Sequence, residues 1–332
     1  MKQRDQYMWA YLLHLGYNMW NEADNFNVEG YIRASDTLRF DEDTYRQIIA
    51  ALRDAGCNTI MLDIGEGIQY QSHPELSVKG SWSHEKLRAE LASLRAMGFT
   101  VYPKLNFSTC HDEWLGEYAR MVSTKVYYEV CRDVIREVSE LFDRPAYFHI
   151  GMDEEDYETQ ANYLYACMRQ DTLWWHDLQF FCDECRKNGA TPIMWSDTGR
   201  YIQDFFEKIP RDVVQNNWYY WNYWNDEEGD YRNALRAGDL TEARLAHHRA
   251  FLKLFDELES AGCPQLVAGS GWNCDENFEN LLRYAGAHIR EENLVGFMQT
   301  PWEPTVADRL PTHMNCIAQM KRAYDAMGER AE

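Results

Sequence analysis

The chain has 332 residues, and its 54 acidic against 33 basic residues give a formal net charge of −21. Such a surface repels nucleic acid and anionic membranes, and it favours neutral substrates over phosphorylated ones. The polar N-terminal residues 1–6 lead directly into the first apolar run without a secretory h-region or a membrane span, so we expect a cytoplasmic protein.

Eight apolar runs with strand character recur along the chain, and most alternate with amphipathic helical patterns. The predicted strands are 8–18, 59–65, 100–106, 146–154, 192–197, 213–220, 265–272 and 294–303. The predicted helices are 44–56, 84–98, 124–142, 173–189, 242–262 and 277–290. Eight βα units in order predict a (β/α)8 TIM barrel, and 332 residues lie within the size range of that fold with insertions.

No linker or low-complexity tract divides the chain. We therefore expect a single domain over 1–332, with the polar, less regular stretch 222–239 as an insertion after strand six. The oligomeric state is left open by the sequence.

The run 147–154 is the most informative segment, because an apolar strand ends there in the adjacent carboxylates Asp153 and Glu154. Parallel strands present their last side chains to the crevice at the carboxyl end of the sheet. If the strand turns there, Asp153 would orient a substrate group while Glu154 handles a proton. His149 lies on the same side of the strand as Asp153 and either orients the pair or is a buried structural histidine. The alternative is a solvated acidic loop, since three further acids follow within four residues.

We expect neither a cofactor nor a metal. The sequence contains no glycine-rich phosphate-binding loop. The nearest pair among its nine cysteines, Cys182 and Cys185, falls within a helical pattern and suggests buried thiols in a reducing compartment. His111 and His149 are candidate metal ligands in principle, but no two histidines share a strand at ligand spacing.

Aromatic residues concentrate at the predicted strand ends. The chain has 12 tryptophans and 21 tyrosines. Nine of the tryptophans fall at or just after a strand end or in a βα loop: Trp20, Trp82, Trp114, Trp195, Trp218, Trp221, Trp224, Trp272 and Trp302. Aromatic faces stack on the C–H faces of sugar rings, so the set favours a carbohydrate pocket.

The segment 149–154, His-Ile-Gly-Met-Asp-Glu, resembles the His-x-Gly-Gly-Asp-Glu motif of family 20 glycoside hydrolases, the β-N-acetylhexosaminidases. The catalytic domain of that family is a (β/α)8 barrel with this motif on strand four. The segments 195–197 (Trp-Ser-Asp), 213–218 and 296–303 are further matches, so that the resemblance covers strands two to eight.

The resemblance implies retaining, substrate-assisted hydrolysis of an amino-sugar glycoside, an exception to the scheme with two carboxylates across the bond. Glu154 would be the general acid and then the base, and Asp153 would hold the N–H of the substrate's 2-acetamido group, whose carbonyl oxygen attacks C1. The resemblance also implies a substrate pocket formed by His149, Trp195, Asp197, Trp218, Tyr219 or Tyr220, Trp272, Trp302 and Glu303.

Three features depart from the family pattern. Strand one carries no arginine to fork onto two ring hydroxyls. Met152 stands where the motif has its second glycine, and Lys104 and Asn106 stand on strand three where the family tends to carry acids. We therefore expect altered recognition of the terminal sugar.

Two other functions stay open. A conventional retaining glycosidase would use Glu154 as acid with Asp275 or Glu276 as covalent nucleophile, and Asp197 offers a third arrangement across the barrel mouth. A catalytically degenerate, sugar-binding barrel is the non-enzymatic alternative.

Overall fold

The computed structural model describes residues 3–21, 33–224, 241–272 and 274–329. Eight parallel strands close into a barrel in chain order, with the first strand hydrogen-bonded to the last. The strands are β1 Met8–His14, β2 Thr59–Asp63, β3 Thr100–Lys104, β4 Tyr147–His149, β5 Thr191–Trp195, β6 Val214–Trp218, β7 Gln265–Gly269 and β8 Leu294–Gln299. The predicted (β/α)8 TIM barrel is confirmed.

Helices follow the strands and pack around the barrel. They are α1 Glu42–Asp54, α2 His84–Ala96, α3 Lys125–Leu141, α4 Tyr157–Gln160, α5 Asp171–Lys187, α6 Phe205–Lys208, α7 Glu242–Ser260, α8 Asn277–His288 and α9 Leu310–Glu329. In the part of the chain that the structure describes, no helix has both the length and the apolar character needed to cross a membrane.

Side-chain caps mark the starts of four helices. The helices α1, α2, α3 and α7 each begin after a side chain that accepts a hydrogen bond from the backbone of the first turn, as N-caps do. These caps are Asp41, Ser83, Thr124 and Thr241. The helix α9 was not among the predicted helices.

The strands are shorter than predicted. β4 spans only Tyr147–His149, whereas the apolar pattern predicted 146–154. Residues beyond the strand end stay buried because βα loops cover them, so hydrophobicity continues where strand geometry has stopped. The predicted insertion at 222–239 lies mostly outside the described residues.

One layer inside the barrel is polar. In the strand register His14 pairs with Asp63, Asp63 with Lys104, and Lys104 with His149. All four side chains are buried, although branched apolar residues dominate such layers in most barrels. This polar layer lies at the carboxyl ends of β1 to β4, directly below the loops that carry the candidate site.

Candidate active site

The chain turns sharply after β4 and brings two successive carboxylates to one place. Gly151, Met152 and Glu154 all have positive φ, at 75°, 72° and 53°. Only glycine fits at 151, because a Cβ there would lie 1.8 Å from Oδ1 of Asn106. This backbone departs from strand alternation, so that Asp153 and Glu154 both face the barrel mouth, as their contacts with His111 show.

A buried arginine anchors this turn. Arg169 lies in the segment between α4 and α5, and its guanidinium pairs with the buried carboxylate of Glu155 and donates to the carbonyl of Phe107 at 2.7 Å. Arg169 also lies 3.4 Å from Asp177 on α5. The loop after β4 is thereby tied to the loop after β3 and to α5.

Asp153 is buried and held from three sides. The Nδ2 of Asn106 donates to its Oδ1 at 3.0 Å, the Nε2 of His111 lies 3.3 Å from its Oδ2, and the hydroxyl of Ser108 donates to its backbone carbonyl. Burial works to raise the pKa of Asp153, but His111, Lys104 and Asn106 together outweigh it and lower that pKa below its ordinary value. Asp153 is therefore an ionised acceptor.

Glu154 is the accessible member of the pair, with 37% of its side chain exposed. Its Oε2 lies 3.1 Å from the Nε2 of His111. One imidazole thus contacts both carboxylates. Burial would lower the pKa of His111, but the charges of Asp153 and Glu154 raise it to about 10.

Asp197 follows β5 and supports the same turn. Its Oδ2 accepts a hydrogen bond from the backbone N–H of Glu154 at 2.9 Å, and Nε1 of Trp218 lies 3.4 Å from its Oδ1. Burial and the nearby charge of Asp153 raise the pKa of Asp197 to about 7. Two buried carboxyl groups are thus driven in opposite directions, a pattern found at sites that divide proton transfer and charge between two acids.

Aromatic rings line the mouth in an unbroken series. The ring centroids of His149 and Trp195 are 4.8 Å apart, those of Trp195 and Trp302 5.6 Å, and those of Trp302 and Tyr220 6.3 Å. Tyr220 stacks on Trp218 at 4.8 Å. Because β5 and β8 are not neighbours, the contact of Trp195 with Trp302 shows that this aromatic series crosses the mouth of the barrel.

Three other predicted residues make their described contacts away from Asp153 and Glu154. Tyr219 faces outward, where its hydroxyl bonds to the carbonyl of Tyr223 and to His248 of α7. Trp272 is 53% exposed at the end of β7. Glu303 is buried, with Arg309 at 3.4 Å. Of the two tyrosines proposed to hold the acetamido carbonyl, only Tyr220 faces the mouth.

Asp275, one of the alternative nucleophiles, is held by asparagine side chains in the loop after β7. Its Oδ1 lies 3.4 Å from Nδ2 of Asn315, and its backbone carbonyl accepts from Asn222. Among the described residues, no contact joins Asp275 or Glu276 to Glu154.

Two residues of the site were not recognised as such from the sequence. The sequence indicates His111 only as a candidate metal ligand, and Asn106 only as a departure from the family pattern. Both follow β3, and the signal that could have found them is the placement of polar side chains beyond two adjacent parallel strands, where loops meet.

His111, Asp153 and Glu154 also form a group of possible metal donors, with one donor atom from each lying within 4.8 Å of the others. A pKa of about 10 keeps the imidazole protonated at neutral pH. A protonated imidazole donates hydrogen bonds and has no lone pair for a metal. In this protonated form the three groups make an ion-paired acid site.

Solved structures with this architecture include several glycoside hydrolases of family 20. A β-N-acetylhexosaminidase from Streptomyces coelicolor A3(2) superposes with a TM-score of 0.58 and 12% identity, over 97% of this chain and 70% of that one. An exo-β-N-acetylglucosaminidase from Vibrio harveyi, in complex with N-acetylglucosamine, gives 0.54 and 12% over 98% and 58%. Dispersin B gives 0.53 and 14% over 86% and 95%.

At these identities the similarity shows the fold, and at that level the resemblance predicted from the sequence is confirmed. The chain spans little more than half of the Vibrio harveyi protein but matches almost all of Dispersin B. No family model matches the sequence, and no curated protein matches it.

Proposed function

We propose that the protein is a divergent member of glycoside hydrolase family 20 that cleaves β-linked N-acyl amino sugars by substrate-assisted catalysis. The observation that carries the proposal is the shared contact of Asp153 and Glu154 with His111, which leaves one carboxylate buried and the other partly exposed. The same barrel occurs in the family 20 enzymes with which the chain superposes.

In this mechanism the nucleophile belongs to the substrate, so that a second carboxylate across the sugar is not required. Asp153, ionised and immobilised by Asn106, accepts the N–H of the acylamino group and orients its carbonyl oxygen toward C1. In its protonated form Glu154 gives a proton to the leaving glycosidic oxygen, and the carboxylate that results then takes one from the attacking water. His111 and Asp197 hold the two carboxylates in place.

The test is hydrolysis of four 4-nitrophenyl β-glycosides: the 2-acetamido-2-deoxy glucoside and galactoside and the plain glucoside and galactoside. We expect cleavage of the acetamido sugars alone. Glu154→Gln should reduce their turnover by at least the factor of 10²–10⁴ typical of general acid–base catalysis. Glu158→Gln, which changes an exposed acid on α4, is the matched control and should leave turnover unchanged.

Preferred cleavage of the plain sugars would contradict the proposal and favour the conventional retaining mechanism. Binding of N-acetylglucosamine without turnover of any glycoside would instead identify a sugar-binding barrel.

A further inference from the structure

Three fully buried side chains of the mouth carry polar atoms that have no hydrogen-bond partner among the described residues. These atoms are Nε2 of His149, Nε1 of Trp195 and both amide atoms of Asn216. His149, Trp195 and Asn216 are fully buried. An unpaired buried polar group costs about 1–3 kcal/mol, so their concentration at one place points to a polar ligand.

These atoms belong to one surface. The ring of Trp195 contacts those of His149 and Trp302, and Trp195 pairs in register with Asn216 on the neighbouring strand β6. Strand alternation then places Asn216 on the inner face of β6. Its neighbour Asn217 faces outward, where its Nδ2 donates to Gln265.

The chemistry of the surface can be read from its partners. The backbone N–H of Gly151 donates to Nδ1 of His149 at 3.1 Å. Nδ1 is therefore the acceptor, and Nε2 carries the hydrogen of the neutral ring. Indole N–H groups donate only, while the Asn216 amide both donates and accepts. The surface thus offers two ring N–H donors, on His149 and Trp195, and the amide of Asn216, and a methyl group would satisfy none of them.

We propose that His149, Trp195 and Asn216 form a polar acyl subsite, and that the N-acyl group of the preferred substrate carries a hydroxyl, as an N-glycolyl group does. This inference rests on the proposed function, in which Asp153 holds the acylamino N–H. His149 ends β4, Asp153 lies in the turn that follows it, and the ring of Trp195 packs on that of His149; the proposal places the acyl group of a sugar bound at Asp153 against these two rings. The amide of Asn216 would then donate to and accept from the acyl hydroxyl.

The test is calorimetric binding of two matched ligands, methyl N-acetyl-β-D-glucosaminide and methyl N-glycolyl-β-D-glucosaminide, to Glu154→Gln protein, in which turnover is blocked. We expect the glycolyl sugar to bind about tenfold more tightly, which is the effect of roughly one net hydrogen bond. Adding Asn216→Leu should abolish this preference, so that the two sugars bind with equal affinity.

Stability separates this role from a structural one. Replacing an unpaired buried amide by an apolar group of similar size is neutral or stabilising, so Asn216→Leu should keep or raise the melting temperature. Asn217→Leu, the matched control on the outer face, breaks the bond to Gln265 and should lower the melting temperature while keeping the ligand preference.

Equal binding of the two sugars by Glu154→Gln protein with Asn216 intact would overturn this inference and leave the proposed function standing. This comparison does not depend on whether the Asn216→Leu variant folds. A preference that persists in Asn216→Leu, or a marked loss of stability in that variant, would also overturn it. Binding of neither sugar would overturn the proposed function itself.

Discussion

His111 is the residue on which the site's charge balance depends. Its Nε2 contacts Asp153 at 3.3 Å and Glu154 at 3.1 Å, and it is buried, so the two acids and the imidazole form a partly desolvated ion-pair group. Removing one partner of a buried pair strands the other charge, which typically costs about 3–5 kcal/mol. The partial exposure of Glu154 places the expected cost at the lower end of that range.

His111→Asn should therefore destabilise the protein in a pH-dependent way. The folded-state pKa of about 10 lies above the ordinary 6.5, so the extra stability is fully present below pH 6.5 and is lost as pH rises through 10. Urea unfolding of the variant and the parent protein at pH 6, 8 and 10 measures the difference.

The matched control for that experiment is His176→Asn, because His176 also lies beside an aspartate but is 63% exposed. Exposed pairs contribute about 0–1 kcal/mol. A His111 effect that stays constant from pH 6 to 10, or one as small as the effect of His176, would contradict the assigned role.

Asp197 also makes stability fall as the pH rises, over a lower pH range than His111 does. Its folded-state pKa of about 7 lies above the ordinary 3.8, so between these values the folded protein binds more protons than the unfolded chain and stability falls as pH rises. Asp197→Asn removes this dependence. We expect the variant to gain stability relative to the parent between pH 4 and pH 8, as measured by thermal melting, and a parallel course of the two proteins would count against the assignment.

At the scale of elements, the polar layer of β1 to β4 is the most unusual part of the barrel. Lys104 is fully buried and its Nζ lies 2.5 Å from Oδ2 of Asp63, which also lies 3.2 Å from Nδ1 of His14. Burial would raise the pKa of Asp63, but Lys104 and His14 together lower it to about 2. The lysine on strand three is thus a partner of the acid on strand two.

Lys104→Met should cost about 3–5 kcal/mol, because it leaves Asp63 buried without its cation. The double variant Lys104→Met with Asp63→Leu should recover most of this loss, since an apolar pair of similar volume often replaces a buried ion pair at little cost. Lys187→Met, at a lysine 65% exposed beside Glu184, is the control and should change little. Chemical denaturation decides: a double variant as unstable as the single one would refute the pairing argument.

The sequence predicted elements better than it predicted contacts. Helix starts and strand order follow from hydrophobic periodicity, and these were close to the structure. Strand ends were not, because residues beyond β4 are buried by loops rather than by sheet pairing. The pair Asp153 and Glu154 was found because both lie in one motif, whereas His111 is 42 residues upstream of Asp153, and the pairing of β3 with β4 brings it there.

The alternation of side chains along β6 and just beyond it decides which of Tyr219 and Tyr220 faces the mouth of the barrel. Trp218 and Tyr220 are two residues apart and stack on each other, so they share a face. Tyr219 between them faces α7 instead. The alternatives Tyr219 and Tyr220 were therefore separable in principle, once Trp218 was placed at the mouth.

For the molecule as a whole, the net charge of −21 does not reflect the buried positive charges that act on the site. Lys104, His111 and Arg169 are all buried, and each is paired with carboxylates. At physiological ionic strength, salt largely screens the interaction between exposed charges that are more than about 8 Å apart, but it acts much less on buried pairs. The acidic surface therefore governs which partners approach, while a separate set of buried cations determines the electrostatics of the site.

Closure of the barrel between β8 and β1 is the feature on which the whole arrangement depends, and it requires a glycine. Gly296 pairs in register with Met8, and a Cβ at Gly296 would lie 2.1 Å from the Met8 carbonyl oxygen. Because that neighbour is backbone, it cannot move aside without opening the ladder. Gly296→Ala should therefore cost at least the roughly 1–3 kcal/mol of an overpacked core.

Gly286→Ala gives the matched control, since Gly286 lies within α8 and a Cβ there would meet nothing within 4 Å. Alanine is favoured over glycine inside a helix by about 0.5–1 kcal/mol, so this variant should be more stable than the parent. A lower urea midpoint for Gly296→Ala together with a higher one for Gly286→Ala would show that the loss of stability arises where β8 pairs with β1. Loss of stability in both variants would show a general intolerance to added side chains. Unchanged stability of Gly296→Ala would mean that the pairing of β8 with β1 can open at this point without loss of the fold.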